Sequence, residues 1–398
     1  MIETSLQFKV HIPNTIIGVG ALDNLGSLAK EMKARKVLVV TDAGVAKTGT
    51  LECVKTSLQN SGLSFAIFDK CQPDAPINIV EECSSTATNG KFDLLVGVGG
   101  GSVMDTTKFT SVCATNNESA YDMLGVNRIK KAGLTKILIP TTGGTGSEWS
   151  ALVALTDERT GEKAYASSGY LWADAVIIDP MATLDLPPGL TASTAMDALT
   201  HAIEAYTTWK ANLVSDMLAE KTIRLIAENL RTAYAKGSQH VEARYRLAIA
   251  AALSMQAVMT AGGTGMVHGM SYPVSTKAHL SHGVSCSLML PFIMEFNLLS
   301  DPAKFARIAE LMGEDVEGLS VTDKAGKSIQ AVRRLSKDVG MPQSLSEVGI
   351  KKTDIADMVE HLFSEQPLQV RTRDTNARDM TRDDAAKILE AAIEYKNS

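Results

Sequence analysis

Apolar residues follow two rhythms along this chain. Before about residue 184, short β-branched runs alternate with amphipathic stretches: 37–41 (VLVVT), 65–68, 94–98 (LLVGV), 137–140 and 176–178. Between them, segments such as 77–89 and 103–115 repeat their apolar positions at helical spacing. Runs this short and uniformly apolar, separated by helical segments, predict βαβ units around a buried parallel sheet. Leu186-Pro187-Pro188-Gly189 breaks the pattern, and beyond it helical periods follow one another through Asn397. The expected fold class is an α/β amino-terminal domain with a parallel sheet over residues 1–184, then an all-helical carboxy-terminal domain over 185–398. The cleft between two such domains is the expected place for a ligand.

Composition adds limits to this picture. A chain of 398 residues exceeds the size of one ordinary core, which agrees with two domains, and an apolar fraction of 45% fills both. Charged residues are 21% with a formal net charge of −6, so no basic face for nucleic acid or an anionic membrane is expected. A small-molecule partner is. The five cysteines, Cys53, Cys71, Cys83, Cys113 and Cys286, are scattered and never paired as C-x-x-C. They signal neither a disulfide framework nor a zinc-thiolate site and fit a reducing cytoplasm. The amino terminus mixes acid and base without an apolar run, which reads against a secretory signal. The longest apolar stretch, around 247–261, is interrupted by Ser254 and Gln256 and falls short of the roughly 20 residues of a membrane span.

Two glycine-rich turns carry candidate chemistry. The sequence 93–102 (DLLVGVGGGS) leaves a predicted strand and enters a helix beginning VMDTTK. Gly99, Gly100 and Gly101 let the backbone approach a ligand while free amides at the helix start face a phosphate. Ser102 stands where a third spaced glycine would be, so the turn departs from G-x-G-x-x-G, and a plain tight connection is the competing reading. A second turn, 141–148 (TTGGTGSE), follows the strand ending at Pro140, so both turns are expected on one sheet edge, where open α/β sheets bind ligands. Asp42 closes the first strand, where its carboxylate accepts from a ribose and repels a 2′-phosphate, favouring NAD over NADP. An Asp that caps its own backbone is the alternative there.

Candidate metal ligands lie in the second half. Asp197 and His201 are four apart in a stretch free of Gly and Pro, so both project from one helix face. A simple Asp–His hydrogen bond at that spacing is the commoner arrangement. His268 and His282 are 14 residues apart, about 21 Å on a straight helix, far too long for two nitrogens each about 2.1 Å from one ion. If they share a metal the chain must reverse between them, and Tyr272-Pro273 supplies a break. Three nitrogens and one carboxylate would suit Fe²⁺, Zn²⁺ or Mn²⁺.

GGGSVMD at 99–105, TTGGTGSE at 141–148, MDALTHAIEAY at 196–206, HGMSYP at 268–273 and the later HG at 282 together resemble the iron-containing (group III) alcohol dehydrogenases. The likeness runs to TNAR at 375–378. It implies a dinucleotide-binding domain and a helical metal domain with Asp197, His201, His268 and His282 as ligands. It also implies NAD contacts from Asp42, Gly99, Gly100, Gly101, Ser102, Asp105, Thr141, Thr142, Thr145 and Lys163. By analogy of position Trp149, Leu152 and Tyr272 border the reacting carbon. Dimers or larger homo-oligomers are the expected assembly.

The implied reaction exchanges hydride between a small primary or secondary alcohol and NAD, giving an aldehyde or ketone. Many such proteins carry a histidine four residues after the third ligand as a proton relay, where this chain has Tyr272. A tyrosine hydroxyl relays a proton only with help, its ordinary pKa being about 10, and packing the pocket wall is its other reading. His279 is a second relay candidate. HGMSYP also resembles the hydroxyacid-oxoacid transhydrogenases, in which NAD stays bound, and this is the alternative function. A dehydroquinate-synthase-like lyase shares the architecture, but its metal set resembles Glu-His-His.

Overall fold

The computed structural model describes residues 7–396. Two compact units divide the chain, one spanning His11–Leu186 and the other beginning at Pro187; residues 7–10 group with the second.

The first unit is built on a six-stranded, wholly parallel sheet. Its strands are β1 (Asn14–Ile17), β2 (Lys36–Asp42), β3 (Ser64–Cys71), β4 (Leu94–Gly99), β6 (Thr135–Pro140) and β9 (Ala175–Ile178), in the order β1-β9-β6-β4-β2-β3. A three-stranded sheet joins β5 (Gly125–Val126), β8 (Glu162–Ser167) and β7 (Leu152–Asp157). The five predicted runs are all strands of the large sheet. β1 and the small sheet are additions that apolar runs did not signal: β1 is four residues long with both ends exposed, and β7 alternates only weakly.

Burial on both faces explains why the central strands read as continuous apolar runs. Every residue of β4 is buried. Val37, Val39, Val96, Val98, Ile137, Ile139 and Ile177 point to one face and pack with Leu25, Leu28, Leu51, Val54 and Leu58 of helices α1 (Leu25–Glu31) and α2 (Gly49–Asn60). The opposite layer is made by α3 (Ile77–Asn89) and α4 (Gly101–Cys113), whose Ile77, Val80, Phe109 and Val112 pack with Val153 and Leu155 of β7. β2 pairs with β3 on one side and with β4 on the other, so the strand order reverses between β2 and β4. Ligands of open α/β sheets bind beyond the carboxyl ends of strands at such a reversal. Asp42 and Gly99 end those two strands.

The second unit is helical: α5 (Pro188–Thr207), α6 (Leu213–Lys236), α7 (Val241–Ala261), α8 (Met266–Ala278), α9 (His282–Asn297), α10 (Pro302–Leu311), α11 (Val321–Asp338), α12 (Ile355–Leu362), α13 (Pro367–Thr375) and α14 (Arg382–Glu394). Pro188 starts α5 where a missing N–H costs nothing. From Ala195 to Thr207 every residue of α5 is buried, polar ones included, which makes α5 the axis of this unit. The stretch His282–Ser300 has the length and mean hydropathy, 1.4, of a membrane span. Its apolar residues Cys286, Leu288, Met289, Leu290, Phe292 and Ile293 belong to the core of the helical unit.

The reversal between His268 and His282 corrects the expected position. α8 runs straight through Pro273, and the turn falls instead at residues 279–281, with His279 in the left-handed conformation at φ 52°. A proline inside a helix strips the residue four before it of its hydrogen-bond donor. Here that carbonyl, on Gly269, accepts from the buried Gln369 side chain at 3.3 Å. A donor from a hundred residues away replaces the missing one, so the helix continues.

Candidate functional site

Three helices of the second unit bring Asp197, His201, His268 and His282 to one place. Asp197 and His201 share a face of α5, His268 sits in the first turn of α8, and His282 opens α9. Asp197 Oδ1 is the common point: Nε2 of His282 lies 3.7 Å away, Nε2 of His268 3.8 Å and Nε2 of His201 4.0 Å. Gly283 makes the approach possible, because a Cβ there would lie 2.3 Å from the Ser193 carbonyl of α5.

The electrostatics are those of a cation site. Asp197, His201 and His268 are 3%, 4% and 3% exposed, and Asp197 Oδ1 and His268 Nε2 have no hydrogen-bond partner. Two such atoms left bare in a core each cost a desolvation penalty of about 1–3 kcal/mol, more when charged. Burial pushes the Asp197 carboxyl up, but the three imidazoles outweigh it and hold the group below the usual carboxylate range. Burial drives His201 down to about 4, with the neighbouring histidines adding to the effect. It is therefore a neutral imidazole at neutral pH, the form that ligates a metal.

Two residues in the cluster escaped sequence reasoning. Glu204, one turn beyond His201 on α5, receives His268 Nδ1 at 2.6 Å and the Val267 amide at 2.6 Å. With Glu204 as the acceptor, Nδ1 is the donating nitrogen and Nε2 is the ring nitrogen that faces Asp197. Burial depresses His268, but Glu204 and then Asp197 reverse that and raise it. The signal was the carboxylate in HAIEAY, seven residues from Asp197 and so on the same side of the helix. Cys286 lies one turn after His282, its Sγ 3.6 Å from His282 Nε2. Asp197, His268, His282 and Cys286 each offer one donor atom, all within 4.8 Å of one another.

The Tyr272 ring stacks on His282 with centroids 5.9 Å apart and planes 18° apart. Burial raises its hydroxyl pKa far above the ordinary tyrosine range. His279 caps α8.

In the α/β unit the two glycine-rich turns press against each other. A Cβ on Gly100 would lie 3.1 Å from Thr142 Cγ2, and one on Gly101 2.8 Å from Thr145 Cγ2. A Cβ on Gly99 would lie 2.5 Å from Val103 Cγ2. Gly100 is the N-cap of α4 and has no capping side chain, so the first amides of that helix are presented without a side-chain acceptor. Thr141 donates its amide to Gly99 O at 2.9 Å, closing the two strand ends together.

Lys108 locks this arrangement. Fully buried, its Nζ donates to Ser147 O, Ser147 Oγ, Ser150 Oγ and Leu152 O at 2.9, 2.6, 3.1 and 2.6 Å and pairs with Asp105 at 3.0 Å. Asp105 also accepts from Ser147 Oγ and, at 2.9 Å, from the Ala154 amide. Both oxygens of Asp105 thus face protein donors and tie α4 to the second turn. Asp42 Oδ1 accepts from the amides of Gly44 and Val45 at 2.7 and 2.9 Å. Ser102 Oγ accepts from the Asp74 amide at 3.0 Å, and Lys163 pairs with Asp74 and bonds Thr156. Trp149 is buried with its indole N–H on Thr15 Oγ1 at 3.1 Å.

Residues 13–180 match the model of the iron-containing alcohol dehydrogenases, and residues 191–393 match the carboxy-terminal model of the Fe-containing alcohol dehydrogenase family. A NAD-dependent methanol dehydrogenase of Bacillus methanolicus is 37% identical, covering 96% of this chain and 98% of its own. A long-chain-alcohol dehydrogenase of Geobacillus thermodenitrificans is also 37% identical, over 90% of this chain and 91% of its own. The crystal structure of a 1,3-propanediol oxidoreductase superposes with a TM-score of 0.93 at 35% identity, covering 98% of this chain and all of that one.

Proposed function

Because the chain belongs to the iron-containing alcohol dehydrogenase family, and is an oxidoreductase of the alcohol dehydrogenase and aldehyde reductase type, we propose that it interconverts a small primary or secondary alcohol and its carbonyl compound through Asp197, His201, His268 and His282. The family implies NAD and a divalent metal. The observation that carries this reading is the pair of bare, buried donors, Asp197 Oδ1 and His268 Nε2, facing each other at 3.8 Å with two further imidazoles beside them. They fit a cation. Fe²⁺ or Zn²⁺ suits three nitrogens and a carboxylate, with Mn²⁺ third.

When bound, the metal supplies Lewis acidity to the substrate oxygen and NAD supplies or takes up the hydride. The chain's own residues do the rest. Glu204 fixes the His268 tautomer. The stacked Tyr272 ring holds His282 in plane, and burial, which raises its hydroxyl pKa, rules the hydroxyl out as a base. The α4 amides behind Gly99, Gly100, Gly101 and Ser102 take the pyrophosphate, with Thr141, Thr142 and Thr145 lining the turn. Asp42 presents its remaining carboxylate oxygen to the ribose, and Lys163, paired with Asp74, is a further NAD contact. Asp105 acts from behind, by holding the turn's shape.

Two relatives of equal identity whose names give methanol and long-chain alcohols show that overall likeness does not fix chain length. The test is a panel of alcohols and aldehydes followed by NADH absorbance with the purified, metal-analysed protein. Stoichiometric NADH from an alcohol alone supports the dehydrogenase. Turnover only when a hydroxyacid is paired with an oxoacid, without net NADH, would move the assignment to a transhydrogenase.

A further inference from the structure

We propose that the Cys286 thiolate is a donor to the divalent metal, so that the centre carries sulfur as well as nitrogen and oxygen. The proposal rests on the metal reading of the Asp197 cluster given above. With His201 kept, Cys286 is a fifth donor, and neighbouring donors about 2.1 Å from a five- or six-coordinate ion stand about 3.0–3.6 Å apart, sulfur at about 2.3 Å slightly farther. The observed spacings are near these: Cys286 Sγ to His282 Nε2 is 3.6 Å, and His282 and His268 Nε2 to Asp197 Oδ1 are 3.7 and 3.8 Å. Cys286, His268, His282 and Asp197 all fall within one 4.8 Å circle.

The thiol does not stand alone there. Asp197 Oδ1 and His268 Nε2 are bare, more than nine-tenths buried and within that circle. Cys286 itself is 0% exposed, and its position one turn after His282 puts both side chains on one face of α9. It is also the only cysteine beyond residue 113. Ligation exchanges the S–H bond for a sulfur–metal bond and releases one proton to solvent, with no change of oxidation state. A thiolate shifts the site's preference toward zinc and away from oxygen-seeking Mn²⁺.

The test is zinc K-edge X-ray absorption on the full-length protein loaded with Zn²⁺, beside Cys286→Ser, Cys286→Ala and His268→Ala. The expected wild-type spectrum contains one sulfur at about 2.3 Å in addition to nitrogen and oxygen at about 2.0–2.2 Å. The sulfur shell is expected to vanish in both cysteine variants. Their Zn²⁺ affinity is expected to fall at least as far as the roughly 10–100-fold loss seen when an outer-layer partner is removed, with Mn²⁺ affinity changing far less. One zinc per chain with a purely nitrogen and oxygen shell in the wild type would overturn the thiolate and leave the metal centre standing. No stoichiometric zinc in wild type, indistinguishable from His268→Ala, would overturn both. The wild-type spectrum decides the matter even if a variant misfolds.

Discussion

The proposed metal cluster takes its donors from side chains on α5, α8 and α9, whereas the glycine-rich turns offer backbone amides at the start of α4. In the cluster, buried polar atoms face each other without partners. In the turns, the buried polar side chains around Lys108 and Asp105 are paired with one another, and the surface proposed for NAD lies where side chains are missing. The difference teaches how each region should fail. A cluster of donors loses function when a side chain is removed; a backbone cradle loses it when one is added.

The largest effect follows from removing a donor. His268→Ala is expected to cost about three orders of magnitude in kcat/KM, the worth of several kcal/mol of Lewis-acid stabilisation, with loss of bound metal. NAD affinity, read by quenching of protein fluorescence, should stay within about twofold, since the turns belong to the other unit. A large loss of NAD affinity would erase the distinction between the two regions.

Next comes the positioning residue. Glu204→Ala is expected to raise the metal dissociation constant about 10–100-fold, as outer-layer partners of metal-bound histidines do. Glu204→Gln, whose single amide oxygen still accepts from His268 Nδ1 while its NH2 faces the Val267 amide, should recover part of the loss. Equal losses in the two variants would mean that the negative charge, and not the hydrogen bond, is what matters.

Adding a methyl to the cradle tests the other region. Gly101→Ala drives a Cβ toward Thr145 Cγ2, 2.8 Å away, and is expected to weaken NAD about tenfold, roughly 1.4 kcal/mol, without changing metal content. Thr145→Ser in the same chain removes that methyl and should restore part of the affinity. If the double variant binds no better than the single one, the close contact is not the cause.

Much of this division was legible before the structure. The five apolar runs became strands because burial on both sheet faces demands continuous apolar residues, a property visible in sequence. The i,i+4 spacing of Asp197 and His201 likewise needed only helical geometry. What was hidden depends on distant partners. Pro273 signals a break in any local reading, and only Gln369, far along the chain, supplies the donor that keeps α8 whole. Glu204 and Cys286 read as ordinary helix residues until α8 and α9 are laid beside α5. Asp105 and Lys108 look like the opening of a ligand-binding helix, and their burial turns them to each other and to Ser147 instead.

The smallest expected effect sharpens the role of Tyr272. Its stacking on His282 needs the ring and not the hydroxyl, so Tyr272→Phe should keep kcat within about threefold, far from the 10²–10⁴-fold that general acid catalysis contributes. A loss in that larger range would make the hydroxyl a proton donor in the reaction.

Metal removal and return tests the central claim most directly. The protein is stripped with chelator, its metal content measured, and NADH formation from an alcohol assayed before and after titration with Fe²⁺ or Zn²⁺. Activity is expected to vanish on stripping and to return in proportion to metal bound, saturating at about one ion per chain, and to stay absent in His268→Ala under the same titration. Full turnover by the stripped protein, or a metal-restored His268→Ala as active as the wild type, would contradict the account.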